Sequence, residues 1–315
     1  MKQKVTVPKI TDYILRKAGT VKSTGLYNGK AGLSLSLFVT SNYLHDEKLE
    51  DRAYDLLQES LLMKNTELNF ENGLAGIGYV LLYLTENKYI KADFDEVFGK
   101  QYEEIIKGFE HIEKDPMKLV NSFQVIYFLL KAGRIKTEDE RIQAIIKKIF
   151  EGLEMFLTLQ FQDYTGIHYI NNKNSILNIY KIYLKLVDYS GYANFSRLLL
   201  EDYAVLYRKG KIVNSLEIGY YLKRITEKYN IKEYEDVINE NIHNGTKGMY
   251  PYTLSLRERI DMAKLINNEE CDIPHEGETT RDLLKTVNEN YYPLGYGAGL
   301  GRLLIYLIDK DIELL

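Results

Sequence analysis

Two kinds of hydrophobic pattern alternate along this chain. In EKLEDRAYDLLQESLLMK, starting at Glu47, apolar residues recur three and four apart, so that Leu49, Ala53, Leu56, Leu57 and Leu61 form one stripe. DERIQAIIKKIFEGLEMFL, starting at Asp139, does the same with Ile142, Ile145, Ile146, Ile149 and Leu153. That spacing predicts amphipathic helices with one buried face. Between them stand stretches such as LAGIGYVLLYL, residues 74–84, which are apolar on nearly every side. These predict helices enclosed by neighbours. Period-two strand signals are short and scattered; GIHYI at 166–170 is read as a small hairpin arm.

The enclosed stretches share an opening phrase. GLYNGKAGLSL from Gly25 and NFENGLAGIGY from Asn69 both contain Asn-Gly-x-Ala-Gly before an aliphatic residue. Weaker copies follow in NSFQVIYFLL at Asn121, NSILNIYKIYL at Asn174 and NSLEIGYYLKRI at Asn214. In GYGAGLGRLLIYL, from Gly295, Ala298-Gly299-Leu300 is set against Ala31-Gly32-Leu33. YTLSLRERIDMAKLI, from Tyr252, fills the remaining interval. The chain is thus read as seven units of about 40–53 residues, each an outer amphipathic helix followed by an inner buried one. Inner helices are expected near Asn28, Asn72, Asn121, Asn174, Asn214, Thr253 and Gly297, the asparagines acting as N-caps. The sharpest phrases stand in the first and last units, so the two ends are expected to meet. The expected fold is all-α: a double-layer α/α toroid of about seven inner and seven outer helices, one domain over 1–315.

Composition narrows the function classes. The formal charge is −4 and no basic cluster stands out, which argues against a nucleic-acid partner. One cysteine, Cys271, excludes an intramolecular disulfide and a thiolate-pair metal site. MKQKVTVPKITDYILRK at the start lacks the apolar core of a signal peptide, and no apolar run is long enough to span a membrane. A soluble, cytoplasmic protein with no membrane span is expected. Twenty-seven tyrosines and no tryptophan suit a peptide-binding concavity, and equally suit core filling.

Gly25-Leu26-Tyr27-Asn28-Gly29-Lys30-Ala31-Gly32 resembles the recurring G-L-x-x-G-x-A-G phrase of the lanthionine synthetase C (LanC-like) family. The resemblance implies an α/α toroid and a role in maturing ribosomally made peptides. In that family, zinc held by two cysteines and a histidine activates a peptide thiol for addition to a dehydroamino acid. This chain departs there. Cys271 is followed by Asp272, no Cys-His pair exists, and the two positions for family ligands read Val213-Asn214-Ser215 and Leu294-Gly295-Tyr296. No zinc or other cofactor is expected. Cys271 and His275 could supply two ligands from a polar loop, but the plainer reading is an exposed loop.

Parallel inner helices would gather their N-termini, free amides and dipoles at one rim. Tyr27, Asn28, His168, Asn174, Tyr292 and Tyr296 are the candidate substrate-binding residues there. No catalytic residue is assigned. The first functional reading is a zinc-free accessory protein that binds a precursor peptide or a peptide-modifying enzyme. The others are a zinc-independent, cyclase-like peptide-modifying enzyme and a carbohydrate-active toroid.

Overall fold

A computed structural model of the chain describes residues 3–163, 176–247, 256–258, 260–261, 293–297 and 299–309. Every regular element among them is helical, in agreement with the all-α reading. The chain divides into two compact units.

Unit 1 draws on Met1–Phe109, Tyr127–Glu138 and Pro251–Leu315. It holds α1 (Gln3–Ala18), α2 (Lys30–Leu44), α3 (Glu47–Leu62), α4 (Leu74–Glu86), α5 (Phe94–Phe109), most of α7 (Ile126–Ala132), helical residues at 256–258 and 260–261, and α13 (Leu300–Ile308). Helices α2, α4 and α13 are buried almost all round, whereas α3 and α5 bury one stripe. On α3 the buried residues are Leu49, Ala53, Leu56, Leu57 and Ser60. α2 packs on α3, α4 and α13, and α13 also packs on α1. The two ends of the described chain therefore meet, which is the contact an α/α toroid requires. The hydroxyls buried inside α2 are satisfied by backbone: Ser34 donates to the Ala53 carbonyl of α3 at 2.7 Å, and Ser36 and Thr40 to carbonyls one turn back.

The phrase loops account for this packing. Each turns back over the start of its own inner helix. The Lys30 amide donates to the Ser23 carbonyl (2.9 Å), Leu74 to Glu67 (2.8 Å) and Leu300 to Pro293 (2.9 Å). Gly29, Gly73 and Gly299 are the N-caps, with extended backbone and no side-chain cap. They are glycines for lack of room: a Cβ would lie 2.4 Å from the Gly25 nitrogen, 2.5 Å from the Glu67 oxygen and 2.1 Å from the Pro293 oxygen. The asparagines do not cap. Asn28 is exposed, and it is Asn69, three residues before Asn72, whose side chain accepts the Asn72 amide. The loop bonds also correct the alignment of the last phrase. Gly299 matches Gly29 and Gly301 matches Ala31, three residues from the register read in sequence.

Successive loops are joined through their backbones. The Gly297 amide donates to the Tyr27 carbonyl (2.8 Å), and the Tyr27 amide donates to the Glu71 carbonyl (2.7 Å). In the corrected register these are equivalent positions. Gly25 lies on the Asn72 backbone and Gly295 on that of Tyr27 and Asn28. Gly32 and Gly76 leave room for the Cβ atoms of Tyr296 and Leu26 respectively.

Unit 2 draws on Glu110–Ile126 and Asp139–Tyr250. It holds α6 (Pro116–Ser122), α8 (Glu140–Gln162), α9 (Ile176–Ser190), α10 (Arg197–Arg208), α11 (Leu216–Lys228) and α12 (Glu235–Lys247), with short 3-10 turns at Ile112–Lys114 and Phe123–Val125. Here the phrase has changed function. Asn121 lies inside α6, which is capped by Asp115, and the expected inner helix begins only at Ile126, as α7, after the second 3-10 turn. α11 is capped by Ser215, and the Ser215 amide itself donates to the buried Asn241 of α12 (3.0 Å). Tyr180 stacks on Tyr203 with centroids 5.0 Å apart, and Phe161 meets Tyr180 edge-on at 5.2 Å. Glu154 of α8 ties three elements: one carboxylate oxygen accepts from the Tyr183 hydroxyl (2.7 Å) and the Ser196 amide (2.9 Å). Desolvation raises its pKa despite both bonds. The inner starts expected at Asn174 and Thr253 and the hairpin arm at 166–170 lie outside the described residues.

Two outcomes follow. Gly25→Ala puts a Cβ 2.3 Å from the Asn72 Cα and is expected to lower unfolding free energy by about 2–3 kcal/mol in denaturant titrations. Gly19→Ala, with nothing within 4 Å of its Cβ, is the near-neutral control, and equal effects would dismiss the close-approach explanation. For Glu154, a raised folded pKa means that the native state favours the protonated form. Its contribution is present at acid pH and is lost as pH rises through the folded value. Glu154→Gln should therefore gain stability relative to the parent between pH 4 and pH 7. A relative loss over that range would contradict the raised pKa.

Candidate functional site

The rim expected from sequence has a different chemistry at the described loops of unit 1. The leading amides of α2 are already used by its own loop: Lys30, Ala31 and Gly32 donate to Ser23, Thr24 and Gly25. In α13, Leu300 and Gly301 donate to Pro293 and Leu294. These helix starts therefore present side chains rather than free backbone donors.

Tyr27 and Tyr296 are brought together, with ring centroids 6.4 Å apart. Both are buried, at 5% and 2% exposure. They begin a chain of rings that continues through Phe70 (6.3 Å from Tyr27), Tyr79 (5.3 Å from Phe70) and Tyr83 (6.5 Å from Tyr79). Asn28, next to Tyr27, is exposed. His168, Asn174 and Tyr292 lie outside the described residues, as do Cys271 and His275.

Three charged residues that the sequence reading did not single out surround the tyrosines. Arg257 donates to the Tyr27 hydroxyl at 3.0 Å, and its guanidinium lies 4.8 Å from the centre of that ring. Arg302 is completely buried, pairs with Asp261, and lies 5.5 Å from the Tyr296 ring centre. Asp261 also stands 3.6 Å from Arg257, one helical turn back. A buried cation is tolerable only with such company: a carboxylate at one side and an aromatic face at another. Burial works against the charge of Arg257, but Tyr27 and Asp261 hold its pKa raised overall. A signal for Arg302 existed, since it is the one charge within the apolar run GLGRLLIYL. For Arg257 and Asp261 it was the i, i+4 spacing in RERID.

Lys131 of α7 repeats the arrangement further along the ring chain. It pairs with Glu86 and lies 5.4 Å and 5.3 Å from the ring centres of Tyr79 and Tyr83. Desolvation, with smaller contributions from Tyr89, Tyr296 and Asp309, pushes the Tyr83 hydroxyl pKa up, so this phenol is a neutral hydrogen-bonding group.

The described residues at the two positions set against the family ligands do not fit the zinc site that the resemblance implies. At Val213-Asn214-Ser215, the Asn214 oxygen accepts from the Tyr207 hydroxyl and the Ser215 hydroxyl caps α11. At Gly295 a Cβ would fall 2.0 Å from the Tyr27 oxygen, so no ligand-bearing side chain can occupy that position. Among the described residues no three or more His, Cys, Asp or Glu are grouped to hold a metal. Nor is any helix among them long and apolar enough to cross a membrane.

The model of the family described as lanthionine synthetase C-like protein matches residues 3–178, more than half of the chain. The match contains the phrase loops before α2 and α4; the loop before α13 lies beyond it. A comparison with curated proteins finds no match.

Proposed function

The chain belongs to the lanthionine synthetase C-like family, and from that premise we propose that it serves the maturation of a ribosomally made peptide without the family zinc, by binding the precursor peptide or the enzyme that modifies it. The observation that supports a binding role is the replacement of ligand positions by structural ones. A cap stands at Ser215, and a glycine that admits no side chain stands at position 295. Chemistry that depends on a zinc-bound thiolate has no ligands in those places.

The reading places the bound peptide at the loop end of unit 1, over Asn28 and beside Tyr27, Tyr296 and Arg257. Tyrosine and arginine there offer apolar faces, hydroxyls and planar donors, a combination suited to an extended peptide. His168, Asn174 and Tyr292 remain part of the proposed peptide site on the strength of the sequence alone.

Precursor peptides encoded beside the gene should bind the purified protein in a calorimetric titration. Asn28 is exposed and caps nothing, so Asn28→Ala should weaken binding while leaving the melting temperature in place. Unchanged affinity in Asn28→Ala and Tyr27→Phe together would remove the site from this end of unit 1. Elemental analysis should find no stoichiometric zinc. One zinc per chain, lost on Cys271→Ala, would refute the zinc-free reading.

A further inference from the structure

We propose that Arg257 anchors a carboxylate-binding subsite at the loop end of unit 1, which receives a carboxylate of the bound peptide, at its C-terminus or on an acidic side chain. The inference rests on the peptide-binding reading for the identity of the ligand and on the geometry of Arg257 for its chemistry.

The guanidinium is fixed without being used up. Its hydrogen bond goes to the Tyr27 hydroxyl, and the Tyr27 ring supports its face. Its ion-pair partner is Asp261, at 3.6 Å from Nε, and that carboxylate is shared with Arg302. Arg302 has no exposed surface, whereas 28% of the Arg257 side chain is accessible. A new anion can therefore reach Arg257 but not Arg302.

Desolvation is nevertheless the largest single influence on Arg257. The side chain is thus largely covered by protein and open in part. The planar fork of a guanidinium fits the two oxygens of a carboxylate, and a partly dry site strengthens that bond. A phosphate dianion would meet stronger repulsion from Asp261 than a carboxylate monoanion does. The spent backbone amides of α2 and α13 leave the side chain as the anion receptor at these loops.

The test follows the arginine Nε–H resonances of the labelled protein, with that of Arg257 assigned by its loss in Arg257→Lys. Four probes are titrated at constant ionic strength: acetyl-triglycine with a free C-terminus, acetyl-Gly-Asp-Gly amide, acetyl-triglycine amide and inorganic phosphate. The Arg257 signal is expected to shift saturably with one or both carboxylate peptides and not with the neutral amide. The tighter of the two identifies the source as chain terminus or side chain. In calorimetry, Arg257→Lys should weaken the binding of the better peptide at least about tenfold. No saturable shift with either acid, an equal response to the neutral amide, or tighter binding of phosphate would overturn the proposal. Were Arg257→Lys to fold poorly, the titrations of the parent protein would still decide. Tripeptides that bind while every precursor fails would sink peptide maturation and keep the subsite; the reverse would sink the subsite alone.

Discussion

The close approach of one backbone loop to the next governs unit 1. A carbonyl at Tyr27 and an amide at Gly297 can bond at 2.8 Å only if no side chain stands between the loops. That condition makes residues 25 and 295 glycine, since any Cβ there would enter the neighbouring loop. It also sets the helix starts. A loop pressed against its neighbour must turn tightly over its own helix, and this leaves no room for a side chain at Gly29, Gly73 or Gly299. The small residue at position 32 or 76 then admits the side chain carried by the preceding loop. Hydrophobic burial holds the helices together, but these main-chain contacts determine which positions face which.

The helices were legible because their periods are strong. The stripe of α3 and that of α8 fall on the buried residues almost as read, Leu61 being only partly covered. The meeting of first and last units was legible too, from the similarity of their phrases. What the phrase does was misread. Asn followed by Gly looks like a cap followed by a helix, yet the glycine is the cap and the asparagine at 28 faces solvent. Spacing alone could not separate these, because both put the helix start within two residues of the same point. The three-residue shift in the last phrase has a similar cause. An Ala-Gly pair was matched to an Ala-Gly pair, while the hydrogen bonds align Gly299 with Gly29. At Asn121 the letters persisted after the geometry had changed, and a 3-10 turn stands where a smooth start was expected.

The site was less legible than the fold. Tyr27 and Tyr296 were selected for a rim and do lie together, but as buried rings. The residues that give the place its charge come from a segment with no clear phrase. Arg257 sits 230 positions from the tyrosine it contacts. No local pattern reports such a pairing; only the meeting of the chain ends creates it. Three cations of unit 1, at 131, 257 and 302, share one electrostatic arrangement: each lies over a tyrosine ring and faces a carboxylate. Glycine-sized gaps between backbones and aromatic faces beneath them thus let charge enter an otherwise apolar layer.

The bond between Gly297 and Tyr27 also orders events in time. During synthesis, α2 and α4 leave the ribosome with their broad apolar surfaces long before α13 exists to cover the open side of α2. Everything in unit 2 is made in between. Contacts of such large sequence separation close slowly, because the loop entropy is lost before the contact is gained. The nascent N-terminal helices must wait with sticky surface exposed, the state most open to aggregation and to chaperone capture. A fold sealed by its last loop is therefore vulnerable for most of its own translation.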